Sequence, residues 1–346
     1  MSQRGLYLDD APGETRAVVT LDGLSERLLI RRSDDIPQQR LGARSVARVR
    51  GIERALATAF IDLSEGADAV LALSGEAAKL TEGAAIEIEV TAEARRGKGA
   101  LVRLIGPAEG APRLVQAAPS LADGLNVFAP GVAVIGGDTA REAADIAEAA
   151  ALAVEHALPG GGMISIETTH ALTAVDVDLQ AGGGDPKRGA RRINLAAIDH
   201  AARLLRLKGL GGLIAIDLIG AGHDGVVLAT AAKAAFAPDQ PGVSIGPVSR
   251  FGLLQLVAPR RETPIGEILT EANGAPTAAT VALRLLRALE REGRADGGAR
   301  LSGRCAPAVA GAARPYMSAL SERIGARFEI RPDHTMAPDR FEVSAR

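Results

Sequence analysis

The stretch "GGLIAIDLIGAGHDG" (residues 211–225) decides how this chain is read. A short apolar run leads into glycines at Gly220, Gly222 and Gly225, and the apolar segment "VVLATAAKAAFA" (226–237) follows. Strand, glycine-rich turn and helix in that order outline a dinucleotide-binding unit. Asp217 argues otherwise. It stands near the end of the strand, where a carboxylate would repel a pyrophosphate but would suit a divalent cation. A dinucleotide unit also calls for an acid at the end of the next strand. The next strand-like segment, "GVSIGPVS" (242–249), ends in Pro247, Val248 and Ser249. The stretch therefore reads as a buried strand that delivers Asp217, followed by a loop.

Outward from there, "ALTAVDVDL" (171–179) is a second strand, and its Asp176 and Asp178 are two apart. The strand period of two puts both on one face. Between the strands lie a cationic, glycine-rich loop, "GGGDPKRGARR" (182–192), and a helical run that continues to Lys208. In that run Ile198, Ala201, Ala202 and Leu205 form a core stripe, and Asn194 lies in the first turn, within reach of a carboxylate or a phosphate. Ligands of open α/β sheets bind beyond the carboxyl ends of strands. Asp176, Asp178 and Asp217 converging there would repel one another without a cation. Magnesium takes such oxygen ligands and keeps several waters. The alternative from spacing alone is that these acids cap the next helix or loop.

The rest of the chain sets limits. Its 346 residues suffice for two or three domains, and 47% hydrophobic residues allow a packed core. With 2% aromatics and no Trp, that core must be aliphatic. A net charge of −2 gives no global cationic field, so any nucleic-acid contact must be local. The single cysteine, Cys305, excludes an internal disulfide and a Cys-x-x-Cys zinc site. The five histidines show no ligand spacing. No signal-like N-terminus and no apolar run of about 20 residues is present, so a cytoplasmic chain without a membrane span is expected.

Residues 1–33 read as three short strands, and 41–105 as short strands of a small barrel. "RVRGIERALATAF" (48–60) and "EARRGKGALVRL" (93–104) place Arg48, Arg50, Arg54, Arg95, Arg96 and Lys98 on it, near Phe60. Cationic loops with an exposed aromatic are how OB-type barrels hold single strands; a solvated charged edge is the alternative. Residues 106–126 read as a connection. A helix is expected from Asp138 or Thr139, as its cap, to Leu158. A smaller unit follows from about 266.

Taken together, "IETTHALTAVDVD" (166–178), Gly183, Gly184 and Asp185 with Asn194 and Leu195, "RLLRLKGLGGLIAID" (203–217) and "VSRFGLLQL" (248–256) resemble the catalytic region of the bacterial ribonuclease E/G family. The opening strands, the barrel and the tail from Cys305 are similar to it as well. The fold class implied is α/β: an OB-type barrel (41–105) inserted in an RNase H-like subdomain (1–40 plus 106–158), a DNase-I-like catalytic subdomain (159–265), and a small C-terminal α+β domain (266–346). The resemblance implies a metal-dependent endoribonuclease that cleaves single-stranded RNA to 5′-phosphate and 3′-hydroxyl ends. Asp176 and Asp217 fall on the family's magnesium ligands. Asp178 falls on an assisting asparagine. Phe60, Lys98, Arg50, Arg96 and Asn194 are the expected RNA contacts.

Departures accompany the match. Most of the family's 5′-monophosphate-sensing segment has no counterpart. Glu267 and Thr270 replace the zinc-link cysteines, so a homo-oligomer would not be bridged by zinc. Val70 stands for a second barrel aromatic, Gly220 for a further aspartate and Gly242 for a basic residue. A catalytically impaired RNA-binding protein of the same fold is the alternative reading.

Overall fold

Residues 3–95, 97–179, 186–220 and 224–346 are described by a computed structural model, the side chains of 186–188 excepted. The alternating N-terminal segments form a meander of β1 (Arg4–Ala11), β2 (Glu14–Leu21) and β3 (Leu24–Arg32), as expected. Asp22 and Gly23 both take positive φ, 50° and 80°, which is the type I′ turn that closes a two-residue hairpin.

The barrel is built from β4 (Arg44–Glu53), β5 (Thr58–Asp62), β6 (Ala69–Ala72), β7 (Ala85–Ala92) and β8 (Leu101–Pro107). The strands run β5-β6-β8-β7-β4, and pairing of β5 with β4 closes the ring into five strands, consistent with an OB-type barrel. Its interior is small and aliphatic: Ala47, Val49, Ala59, Ile61, Leu71, Ile86, Ile88 and Val102 are all buried. The stretch read as a connection holds two elements. β9 (Arg113–Gln116) pairs with β4, and α1 (Leu121–Phe128) packs on β2.

β10 (Val134–Ile135) runs parallel to β1 and leads into α2 (Gly137–Leu152). The helix begins at Gly137 rather than at an Asp138 or Thr139 cap, and Asp138 sits in its first turn. An anion there suits the positive end of the helix. The helix also ends earlier than expected, because 155–157 pair with a neighbouring strand and become β11 (Glu155–Ala157).

A six-stranded sheet follows, made of β11, β12 (Met163–Thr168), β13 (Thr173–Asp178), β14 (Gly212–Asp217), β15 (Ser244–Val248) and β16 (Leu253–Ala258). The order is β11-β12-β13-β14-β16-β15, and β13 and β14 are its parallel pair. β16 was not foreseen from the pattern. α3 (Pro186–Lys208) connects the parallel pair, and α4 (Gly225–Ala235) follows β14. Ile198, Ala201, Ala202 and Leu205 of α3 are buried on one face of this sheet with Val175, Val177, Ile214 and Ile216, as the stripe predicts.

Beyond α5 (Ile265–Leu269) lies the C-terminal unit. It comprises α6 (Ala278–Ala295), β17 (Leu301–Cys305), α7 (Pro307–Ala313), α8 (Met317–Ile324), β18 (Phe328–Pro332) and β19 (Phe341–Ala345), with sheet order β18-β17-β19. Cys305 is buried there and unpaired. No helix among the described residues is long and apolar enough to cross a membrane.

Buried ions join these parts. Arg16, fully buried, meets Asp9 at 2.6 Å, Asp145 at 2.8 Å and Glu148 at 3.0 Å. Arg284 and Arg287 of α6 reach Glu148 and Glu14 respectively. Glu93, 4% exposed at the end of the barrel, takes Arg31 at 2.7 Å, Arg40 at 3.1 Å and the backbone N–H of Thr263 at 3.1 Å. Burial pushes its carboxyl up, but the two arginines and the N–H groups of Thr263 and Leu41 outweigh that and hold it below the usual range. Removing one partner of such a set leaves uncompensated buried charge. Glu93→Ala is expected to lower stability by about 3–5 kcal/mol, read from urea unfolding.

At the junction of α2, β11 and α3, Lys208 donates to the carbonyls of Ala151, at 2.9 Å, and Ala153. His156 lies in the same place. Burial first, and then the charge of Lys208, push its imidazole down to about 4. A folded-state value below the ordinary one means that the unfolded chain takes up the proton first as pH falls. Stability should therefore be full above about 6.5 and decline toward pH 4. Thermal midpoints measured across that window should fall for the wild type and fall less for His156→Gln.

Candidate functional site

The acids are placed by strand parity. In β13, Thr173, Val175 and Val177 are buried, so Asp176 and Asp178 point to the opposite, open face. In β14, Ile214 and Ile216 are buried and Asp217 is open. The parallel register pairs Asp176 directly with Asp217. Neighbouring strands lie about 4.8 Å apart, so the two carboxylates stand side by side at the carboxyl ends of their strands. Asp178 is one step further along the same face. On β12, Ser165 pairs with Asp176, and Glu167 pairs with Ala174.

The electrostatics follow from that crowding. The Asp176 carboxyl is held above the usual range, first by partial burial and then by the charges of Asp178 and Asp217. Among the described residues none of Asp176, Asp178, Asp217 and Glu167 is in a salt bridge. Nor do three Asp, Glu, His or Cys side chains among them converge into a ready-made metal cage. A pair with open coordination suits magnesium, which is commonly bound through one or two carboxylates and keeps its waters.

Asn194 does something other than expected. It is 1% exposed, its Nδ2 donates to the Ile219 carbonyl at 3.0 Å, and its Oδ1 accepts from the Ile219 N–H at 3.0 Å. Both polar ends are engaged, so it does not reach a carboxylate or a phosphate. It fixes the backbone two residues after Asp217 instead. Asp224 caps α4, accepting from the Val227 N–H at 3.2 Å. The strand after α4 is β15, which is separated from β14 by β16. Gly220 follows β14 in a bend and Gly225 begins α4, and with β16 between β14 and β15 this is not a dinucleotide unit.

Two neighbours of the acids, Arg250 and Phe251, lie within the 248–256 segment, whose pattern assigns them no role. The turn 249–252 between β15 and β16 sits against the end of β14, where the Leu218 N–H donates to the Gly252 carbonyl at 3.2 Å. It carries Phe251, 73% exposed, with the Arg250 guanidinium 4.7 Å from its ring centre. An Arg-Phe pair between Ser and Gly, joining two strands, was the available signal.

On the barrel, Phe60 pairs with Val70 and Val70 with Leu101, so one outward row crosses three strands. Phe60 is 42% and Leu101 48% exposed. Lys98 is exposed in the turn closed by its bridge to Arg95. Gly99 follows because a Cβ there would lie 1.9 Å from the Asp68 carbonyl oxygen. Arg50 is less available than expected, being held by Asp62 at 3.1 Å and Asp68 at 3.2 Å. Arg96, Gly183, Gly184, Asp185, Gly222 and His223 lie outside the described residues.

A closed five-stranded barrel, tied to a mixed sheet whose parallel strands end in paired aspartates, defines the class: an α/β protein with an OB-type module and an acidic open site. The comparisons narrow it. Residues 140–261, which carry all three aspartates, match the Ribonuclease E/G family model. It is 37% identical to ribonuclease E of Escherichia coli strain K12 over 147 residues, 39% of this chain and 14% of that protein. It is 41% identical to ribonuclease E of Haemophilus influenzae over 115 residues, 32% of this chain and 12% of that protein. Against ribonuclease G of Salmonella typhimurium it is 28% identical over 204 residues, 54% of this chain and 41% of that protein. The matched segment thus spans only a small part of either ribonuclease E.

The Asn194 clamp can be tested directly. Asn194→Ala leaves two backbone groups of Ile219 unmatched and is expected to cost about 1–3 kcal/mol in chemical unfolding.

Proposed function

We propose that this chain is a magnesium-dependent endoribonuclease that cleaves single-stranded RNA, leaving 5′-phosphate and 3′-hydroxyl ends. One observation carries the reading: Asp176 and Asp217 stand in register on an open sheet face with no cationic partner among the described residues. Two adjacent acids kept without a counter-charge are a cation site in waiting. Magnesium bound there would neutralise the phosphate and lower the pKa of an attacking water.

The chain's own residues supply the remainder. Asp176 and Asp217 would hold the ion, and Asp178 would orient a water or accept its proton. Asn194 keeps the segment after Asp217 in place. The row of Phe60, Val70 and Leu101 offers a flat apolar surface for a base, with Lys98 nearby for a phosphate. Stacking of this kind is worth about 1–3 kcal/mol per base, and the phosphate contact would make binding salt-dependent. The subdomain likenesses to RNase H and DNase I, and a cytoplasmic setting, belong to the same proposal.

A second reading has a specific observation behind it. Asp178 adds a third negative charge where the resemblance implies an asparagine, and no three-ligand cage forms among the described residues. On that reading the chain binds RNA without cutting it. A 5′-labelled, single-stranded A/U-rich RNA separates the two. The nuclease cleaves it with magnesium and not with chelator, and Asp217→Asn lowers the rate by about 100-fold or more while RNA binding persists. Shifted but intact RNA under all conditions supports the binder and refutes the nuclease.

A further inference from the structure

We infer that Phe251, backed by Arg250, is a second stacking point for RNA, holding the base that flanks the phosphate to be cut. The inference rests on the nuclease reading for its geometry and adds a site to it. The chain has six phenylalanines, and only Phe60 and Phe251 are exposed, at 42% and 73%. One lies on the barrel's outer row. The other lies beyond the carboxyl end of β14, in the turn whose Gly252 is bonded to Leu218. Leu253 pairs with Asp217, so the turn that carries Phe251 lies just past the acid pair along the strand direction.

The turn is built to hold the ring out. Ser249 Oγ accepts from the Phe251 N–H at 3.3 Å and from the Leu253 N–H at 3.2 Å, and the Gly252 N–H donates to the Ser249 carbonyl at 3.0 Å. One face of the ring carries the Arg250 guanidinium, which is in no salt bridge among the described residues. The other face is left for a partner. A flat base with a negative phosphate beside it matches a ring and a cation in this arrangement, because every base has a π-face and Arg adds a cation–π and phosphate contact. With Phe60 upstream, the strand would be gripped at two places, one for holding and one for placing the bond over the carboxylates.

The test uses the full chain and short single-stranded RNAs carrying 2-aminopurine at successive positions. In an Asp217→Asn background, one position should show a fluorescence change that disappears in Phe251→Leu and persists in Phe251→Tyr. In the active protein, Phe251→Leu should slow single-turnover cleavage about 5- to 100-fold and spread the cuts over neighbouring bonds. Phe60→Ala should weaken binding without moving the cut. The surface position of Phe251 means the leucine variant folds, and circular dichroism verifies it. Unchanged rate, cut position and fluorescence in Phe251→Leu overturn the inference and leave the nuclease reading standing. A Phe251-dependent fluorescence change without any magnesium-dependent cleavage sinks the nuclease reading and keeps the stacking site. No RNA binding by the wild type removes both.

Discussion

Three parts of this molecule meet on the carboxylate of Glu93. It directly follows the barrel's β7, receives Arg31 from the N-terminal meander and Arg40 from the entry to the barrel, and takes the Thr263 N–H after β16. The Glu93 N–H in turn donates to the Arg261 carbonyl at 2.7 Å. A surface ion pair would not fix the angle between a barrel and a sheet, because solvent screens it. A buried carboxylate with every lone pair engaged does, since any tilt would strand charge in the interior. The Glu93 carboxylate thus helps to fix the barrel against the segment that follows β16, together with the bond from Thr263 Oγ1 to the Ala94 carbonyl.

Around that fixed frame, the chemistry depends on register. A shift of one residue between β13 and β14 would move Asp217 out of step with Asp176 and turn it toward the core. The buried neighbours Val175, Val177, Ile214 and Ile216 prevent the slip, because their apolar surfaces must stay beneath α3. Packing on one face of the sheet thus sets the electrostatic tension on the other. The Asp176 carboxyl is raised first by partial burial and then by the charges of Asp178 and Asp217.

Much of this was legible from the residues. Parity alone put Asp176 and Asp178 on one face. The α3 stripe, the three opening strands and a small barrel followed from period and turn chemistry. What stayed hidden was whatever depends on a partner distant in sequence. That Asp176 pairs with Asp217 is a tertiary fact. The segment "VEHAL" continues a helical composition, yet 155–157 become a strand because β12 offers an edge. Asn194 looked like a ligand because its type suits one; only the fold shows that Ile219 occupies both its ends. Arg50 looked like a free cation for the same reason, and Asp68, eighteen positions away in the chain, changes that. The exposure of Phe251 is not legible in the sequence, because one aromatic in a turn has no periodicity to mark it.

The buried arginine network has a bearing on how the chain is assembled. Asp9, Glu14 and Glu148 face arginines of α6 or of α2 and its neighbours, and the α6 partners, Arg284 and Arg287, lie far downstream of the first strands. Domains emerge from synthesis N-terminal end first. Until α6 has been made, Glu14 and Glu148 have only part of their counter-charge, whereas Asp9 already has Arg16 and Arg141. The desolvation of Glu14 and Glu148 is therefore completed only when α6 packs against them.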